Sequence, residues 1–517
     1  MDGPAACPRC GQSLTGEPAC PRCGVIFAKL RPRDPAEAAR ERSVAGVAAG
    51  DGSTGTRVPW GLVIGFAALM VGGVFGLPRL RSGAAAPAPS RPAIAAPVGR
   101  VARVAETSEA PPPPVAPALA PETIELPAPG TVAGDAGDPD TERIAELAQR
   151  VNARAALGAA DVRAAEDLLA RRSDPDVRRL VMAVLLVAAE RERSLRRYAE
   201  AIAYLDRATV VDPASTRPWL GLMRVALEAN DWTRAEAAAR SAIGLDGRLA
   251  DAWYGLGYAL MRQDRNTEAV EALRTAVGIQ PDSGTQALLD RVLAGMAIEK
   301  GMTEQQLSHF HVRYDGEEHE TVGREILRGL ERHYATLASA LDYQPQSTIP
   351  VILYSRESYQ MSGGPSGALG HFDGIDGRIR VPIQGFTGLT EDLDGTLLHE
   401  LTHAFVNDRT RGACQRFPLQ EGLAQYLEGK RVASMLTPEA LGWMADGRIG
   451  GVQGAYLESL SFVEYLIANR GMGGMNDLLR VMGETGSTDE AFKQVHGQTQ
   501  QALLKTWRQR VRQQHGS

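Results

Sequence analysis

The period of the hydrophobic and polar positions changes several times along the chain, and each change predicts a different element. From His309 to Tyr314 the residues alternate, with Phe310, Val312 and Tyr314 on one parity and the two histidines on the other. That is the pattern of a strand with His309 and His311 turned to solvent rather than to a metal. A helix is expected from about residue 318 to residue 341, then an apolar strand from Ile349 to Tyr354. Arg378 to Ile383 alternates again, and Pro382, which cannot donate to a ladder, suits an edge position. Leu393, Leu397, Leu398, Leu401, Ala404 and Phe405 then recur at helical spacing and give the following segment one apolar face.

Towards the amino terminus the pattern is lost. Between Arg57 and Arg79 lie 21 uncharged residues. At about 1.5 Å of rise per residue they are long enough to cross a bilayer, so residues 59–78 are read as a single transmembrane helix. Five glycines from Trp60 to Leu77 leave a buried hairpin or a hydrophobic linker as the alternative. The run starts too far along the chain for a cleavable signal peptide. Residues 82–140 hold 13 prolines and few large apolar side chains, the composition of a disordered, extended linker.

Small residues return with a 34-residue period: Ala201, Ala235 and Ala269; Ala208, Ala242 and Ala276; Pro213, Gly247 and Pro281. The last copy, with Trp253, Leu256, Gly257, Leu260, Ala269, Ala276 and Pro281, resembles the tetratricopeptide pattern, and Trp219 begins the copy before it. Residues 182–283 are read as three such repeats, and residues 141–179 as a helical hairpin capping the stack. Residues 141–290 would then form an all-α solenoid. Its concave face suits an extended peptide or a partner protein, and a rigid spacer docked on the next domain is the alternative.

Length and charge narrow the picture. A chain of 517 residues suggests three or four units. The net charge of −6, with arginines interspersed among acidic residues, excludes a nucleic-acid stripe. Four of the five cysteines form two Cys-x-x-Cys-Gly knuckles, Cys7 with Cys10 and Cys20 with Cys23. This resembles a small zinc ribbon over residues 1–30, in which four thiolates close a structural Zn²⁺ that supplies the folding energy. Two disulfides are the alternative. A thiolate site belongs in a reducing cytosol, which puts the amino terminus inside and the rest of the chain beyond the membrane, although the flanking arginines are balanced. Cys414 stands alone and is expected to be a partly buried thiol.

Chemistry concentrates in Leu398-His399-Glu400-Leu401-Thr402-His403 and in Glu421-Gly422-Leu423-Ala424-Gln425-Tyr426. Residues four apart share a helix face, so His399 and His403 can offer two imidazoles to one metal, with Glu400 beside the open position. Glu421 would be the third protein ligand. The fourth place is left for a water that the metal acidifies and Glu400 deprotonates. Zinc is the expected metal, and the sequence does not exclude another.

From about Leu307 to Arg512 these motifs, with Ala455-Tyr456-Leu457-Glu458-Ser459-Leu460, resemble the gluzincin zinc peptidases, above all bacterial families with a Glu-Gly-Leu-Ala-x-Tyr helix. The resemblance implies an α+β catalytic domain over residues 305–512 and an edge strand, here Arg378 to Ile383, that pairs with an extended peptide above the metal helix. No Gly-x-Met-Glu-Asn segment precedes His399, so aminopeptidase activity is disfavoured. Gln425 stands where thermolysin-like enzymes carry an aspartate that orients a histidine; Glu428, one turn further along the same face, is a candidate for that role, with a solvated glutamate as the alternative. Tyr456 corresponds loosely to the tyrosine that stabilises the oxyanion in related aminopeptidases, with His371 and Tyr426 as rivals.

The expectation is thus a multidomain chain: a zinc ribbon, one transmembrane helix, a tetratricopeptide solenoid and a gluzincin-like catalytic domain. It would be an inner-membrane endopeptidase with its amino terminus cytoplasmic and its catalytic domain periplasmic. It would carry one catalytic and one structural zinc, a protein or peptide substrate, and room for a protein partner in the repeat groove. The alternative is a tetratricopeptide scaffold whose peptidase-like domain no longer cleaves.

Overall fold

A computed structural model describes residues 138–515 apart from 154, 173, 315–319, 365–367, 384–387 and 450. The ribbon with Cys7, Cys10, Cys20 and Cys23, the membrane segment 59–78 and all but the end of the linker lie outside the described residues. Among the described residues no helix is long and apolar enough to cross a membrane.

Among the described residues nine helices come first: α1 Pro139–Asn152, α2 Ala159–Arg171, α3 Pro175–Ser194, α4 Tyr198–Val211, α5 Thr216–Glu228, α6 Trp232–Leu245, α7 Ala250–Arg262, α8 Asn266–Ile279 and α9 Ser283–Ile298. Aspartates cap several of them: the side chains of Asp138, Asp174, Asp231 and Asp282 accept a first-turn N–H, and Pro139 and Pro175 follow two of these caps. The periodic alanines are the reason the helices pair. Ala201, Ala208, Ala235, Ala242, Ala269 and Ala276 are all buried, and a Cβ on Gly257 would run into Leu273. The period also governs the turns. Arg196, Asn230 and Asp264, 34 residues apart, adopt left-handed φ values of 57°, 61° and 63° between the paired helices.

A five-stranded mixed sheet follows, ordered β1-β2-β3-β5-β4. The strands are β1 Thr303–Gln306, β2 Phe310–Tyr314, β3 Ile349–Tyr354, β4 His371–Asp373 and β5 Arg378–Pro382. β2, β3 and β5 run parallel, with β1 and β4 antiparallel at the two edges. Helix α10 Glu320–Leu341 connects β2 to β3, and α11 Arg356–Met361 follows β3. The helices α12 Glu391–Thr410, α13 Glu421–Leu427, α14 Val432–Met435, α15 Pro438–Ala445, α16 Gly451–Thr485, α17 Thr488–His496 and α18 Gln500–His515 complete the chain. α16 is broken at Gly471, where φ is 67°. Val351, Leu353, Ile379 and Val381 of the sheet pack with Leu330 and Leu337 of α10, Leu397, Leu401 and Phe405 of α12, and Phe462 of α16 in one core.

Two strand expectations are corrected. β5 is not the edge: it lies between β3 and β4, and the edge beside it is the three-residue β4. Pro382 is tolerated because β4 pairs only with residues 378–380, leaving no neighbour there to receive its missing N–H. His309 and His311 do not simply face solvent. His309 stacks on Tyr334 with ring centroids 3.7 Å apart, and the Nδ1 of His311 lies 2.6 Å from Asp264 in the repeat segment.

Candidate metal centre

Helix α12 exists because Thr390 caps it, accepting from the N–H of Leu393, and because Glu391, Asp392 and Asp394 complement its amino-terminal dipole. Left-handed Arg411 ends it. Its apolar stripe is buried against the sheet, which leaves His399, Glu400 and His403 on the side facing α13 and β4.

Helix α13 is pressed onto α16. A Cβ at Gly422 would collide with the carbonyl of Ser459, so only glycine permits the crossing at this depth. Gln425 ties the crossing together, its amide nitrogen donating to the carbonyls of Glu421, at 3.1 Å, and Tyr456, at 3.0 Å. This packing fixes Glu421, which is fully buried.

The donor atoms of His399, His403 and Glu421 all lie within 4.8 Å of one another. His399 Nε2 is 3.3 Å and His403 Nε2 3.5 Å from the two oxygens of Glu421. The other ring nitrogens are held from behind. Nδ1 of His399 is 3.2 Å from Glu428 Oε2, and Nδ1 of His403 is 3.2 Å from Gln420 Oε1. The amide nitrogen of Gln420 donates to the Cys414 carbonyl at 2.9 Å, so its oxygen must be the atom facing His403. Each Nδ1 therefore has an acceptor behind it, which leaves Nε2, the nitrogen facing Glu421, as the atom that would ligate a metal.

The electrostatics suit a cation. Burial alone would lower the pKa of His399, but the Glu421 and Glu428 carboxylates, with Glu400 nearby, raise it to about 10. In the converse sense, burial would raise Glu428, and His399 and Lys430 bring it below the usual carboxylate range. Two imidazoles and a carboxylate, converging and oriented in this way, fit a zinc ion.

Glu400 is buried, and its Oε2 accepts the backbone N–H of Phe372 on β4 at 2.8 Å. Gly370 leaves room for this contact: a Cβ there would stand 3.3 Å from Glu400 Cγ. The Tyr456 ring meets Phe417 edge-on at 5.2 Å. Its rivals are placed as follows: Nδ1 of His371 is 3.0 Å from the Tyr359 hydroxyl, and the Tyr426 ring lies under Arg431 at 3.9 Å. Cys414 is buried in apolar surroundings that push its thiol up to about 12, which makes it inert.

The structure brings together His399, His403 and Glu421, the three residues the sequence singled out as donors, and sets Glu428 behind His399. Sequence reasoning missed Gln420 and Phe372. Gln420 carried a signal in standing next to Glu421, whereas a backbone N–H on a three-residue strand carries none.

Residues 220–284 match the tetratricopeptide repeat family. The match falls on helices α5 to α8, and the chain thus contains tetratricopeptide repeats in a helical solenoid joined to a small mixed sheet. A comparison with curated proteins found no match. Among solved structures the crystal structure of the yeast Tom70 is similar at 13% identity and a TM-score of 0.22, over 64% of this chain. The alignment spans 66% of that chain, and nothing about function is carried over from it.

Proposed function

We propose that residues 305–512 are a gluzincin-like zinc endopeptidase, anchored in a bacterial inner membrane by residues 59–78 with its amino terminus cytoplasmic, and that the repeats recruit a protein substrate or partner. The observation that carries the catalytic reading is the convergence of His399, His403 and Glu421, with both imidazoles oriented from behind by Glu428 and Gln420. When bound, zinc supplies Lewis acidity that makes water a nucleophile near neutral pH. Glu400, held by the Phe372 N–H, takes the proton of the attacking water and returns it to the leaving amine. β4 is the edge strand an extended peptide would meet beside Glu400, which already holds the Phe372 N–H, and backbone pairing of this kind accepts many sequences. Tyr456 is the first candidate to donate to the developing oxyanion. The ribbon thiolates of Cys7, Cys10, Cys20 and Cys23 hold a second, structural zinc.

Metal analysis and cleavage of an unfolded protein substrate by the full chain test this. His399→Ala and Glu421→Ala should each lose one zinc per chain, and Glu400→Gln should keep its zinc and lose cleavage. Retention of that zinc in both ligand variants sinks the site, and cleavage by Glu400→Gln near the wild-type rate removes Glu400 as the base. A reporter fused after residue 140 should be active only outside the cytosol; cytosolic activity reverses the orientation.

The repeat match favours a second reading, a scaffold that binds without cutting. A cavity of about 440 Å³ between the repeats, lined by Leu220 and Leu249 with Arg217, Arg224 and Arg248 against Glu190 and Asp251, suits a protein segment carrying apolar and charged side chains. A scaffold would hold such a partner equally well as wild type and as Glu400→Gln, with no cleavage by either.

A further inference from the structure

The three left-handed turn residues of the repeats share a second property. Each reaches the carboxy-terminal part of the chain: Arg196 packs against Gly486, Asn230 donates to Asp408 at 3.4 Å, and Asp264 pairs with Arg313 at 2.7 Å. The last of these contacts continues into the β4–β5 hairpin. Arg378 of β5 pairs with Asp264 and, at 2.9 Å, with Glu299 just beyond α9. Tyr258 of α7 donates to the carbonyl of Ile375 at 3.4 Å, and Arg262 lies 3.2 Å from where a Cβ on Gly377 would stand. Arg291 of α9 pairs with Asp373, the last residue of β4.

On its other side the same hairpin touches the candidate site. Phe372 lies opposite Ile379 in the ladder, and its N–H holds Glu400. One residue on, Asp373 has Arg380 at 3.3 Å as its remaining cation, and Arg380 also serves Asp376. Burial and the neighbouring Asp376 raise the pKa of Asp373, and Arg380 and then Arg291 oppose that rise. An edge strand of three residues with one strand neighbour has little rigidity of its own.

We propose that Arg291 is a positioning residue: through Asp373 it fixes the β4 edge, and through the Phe372 N–H it sets where the Glu400 carboxylate lies, so the solenoid is a working part of the site. The proposal rests on the peptidase reading for the role of Glu400, but the mechanical link can be measured without cleavage.

The test compares the full chain with Arg291→Ala, Arg291→Lys and, as a control, Arg234→Ala, whose ion pairs with Asp206 and Asp231 lie on the exposed repeat surface. Hydrogen exchange of the peptide spanning residues 368–376, measured after removal of metal, should be about tenfold faster in Arg291→Ala. It should be restored toward wild type by lysine and unchanged in the control. With metal bound, kcat should fall by about 10-fold to 10²-fold in Arg291→Ala, with zinc content unchanged. Unaltered exchange overturns the proposal, and so does faster exchange with unchanged kcat, which would make the contact merely structural. A wild-type chain that holds zinc and cleaves nothing defeats the peptidase reading, and exchange still decides the link.

Discussion

Glu428 Oε2 lies 3.2 Å from Nδ1 of His399, across the gap between α12 and the end of α13. The contact fixes a ring that the helix alone would leave free to rotate about its side-chain bonds, and Gly395 makes room for it, since a Cβ there would stand 3.3 Å from Glu428 Oε1. Glu428→Ala should therefore weaken zinc binding by about 10-fold to 10²-fold while leaving the donor set intact. Competition with a chromogenic chelator measures this. An unchanged affinity would mean that solvent orients His399 equally well.

Tyr456, whose ring meets Phe417 edge-on, is the first candidate for the oxyanion role. If its hydroxyl meets the oxyanion, Tyr456→Phe lowers kcat by about 10²-fold with zinc content and KM preserved, since the missing bond forms only in the transition state. Steady-state kinetics decide it. An unaltered kcat transfers the role to His371 or Tyr426.

The docking of repeats on sheet should depend on pH through His311. Its hydrogen bond to the Asp264 carboxylate raises its pKa above the ordinary histidine value, against the opposing effects of burial and Arg313, and Glu304 at 3.4 Å adds to the rise. A pKa raised by folding means stabilisation that is complete below about 6.5, the unfolded value, and is lost as pH rises through the folded value. The urea midpoint should therefore fall as pH climbs above about 6.5, and His311→Gln should flatten that slope. A slope that survives the substitution would assign it to another group.

The period-34 alanines, the 3.6-period face of α12 and the alternation of β2 were legible because each is a local rule repeated along the chain. His399, His403 and Glu421 were legible for the same reason: spacing of four on one helix brings the first two together, and a second helical motif supplies the third. What failed was pairing at a distance. Pro382 suggested an edge, but β4, inside a glycine-rich stretch and only three residues long, takes that place and has no periodicity to reveal it. His311 read as solvent-facing because its partner Asp264 lies 47 residues earlier, in a turn of the solenoid.

Gly422 separates two demands that the Glu-Gly pair of α13 combines. Glu421 serves the donor set, while Gly422 serves only the closeness of two backbones, and it would be needed there if no metal ever bound. A lineage that abandoned cleavage would be free to discard Glu400 or the histidines, but replacing the glycine would push α13 off α16 and part Gln425 from the Tyr456 carbonyl. Of the letters in this helix, the glycine is a record of architecture, and only the ionisable residues around it carry a record of use.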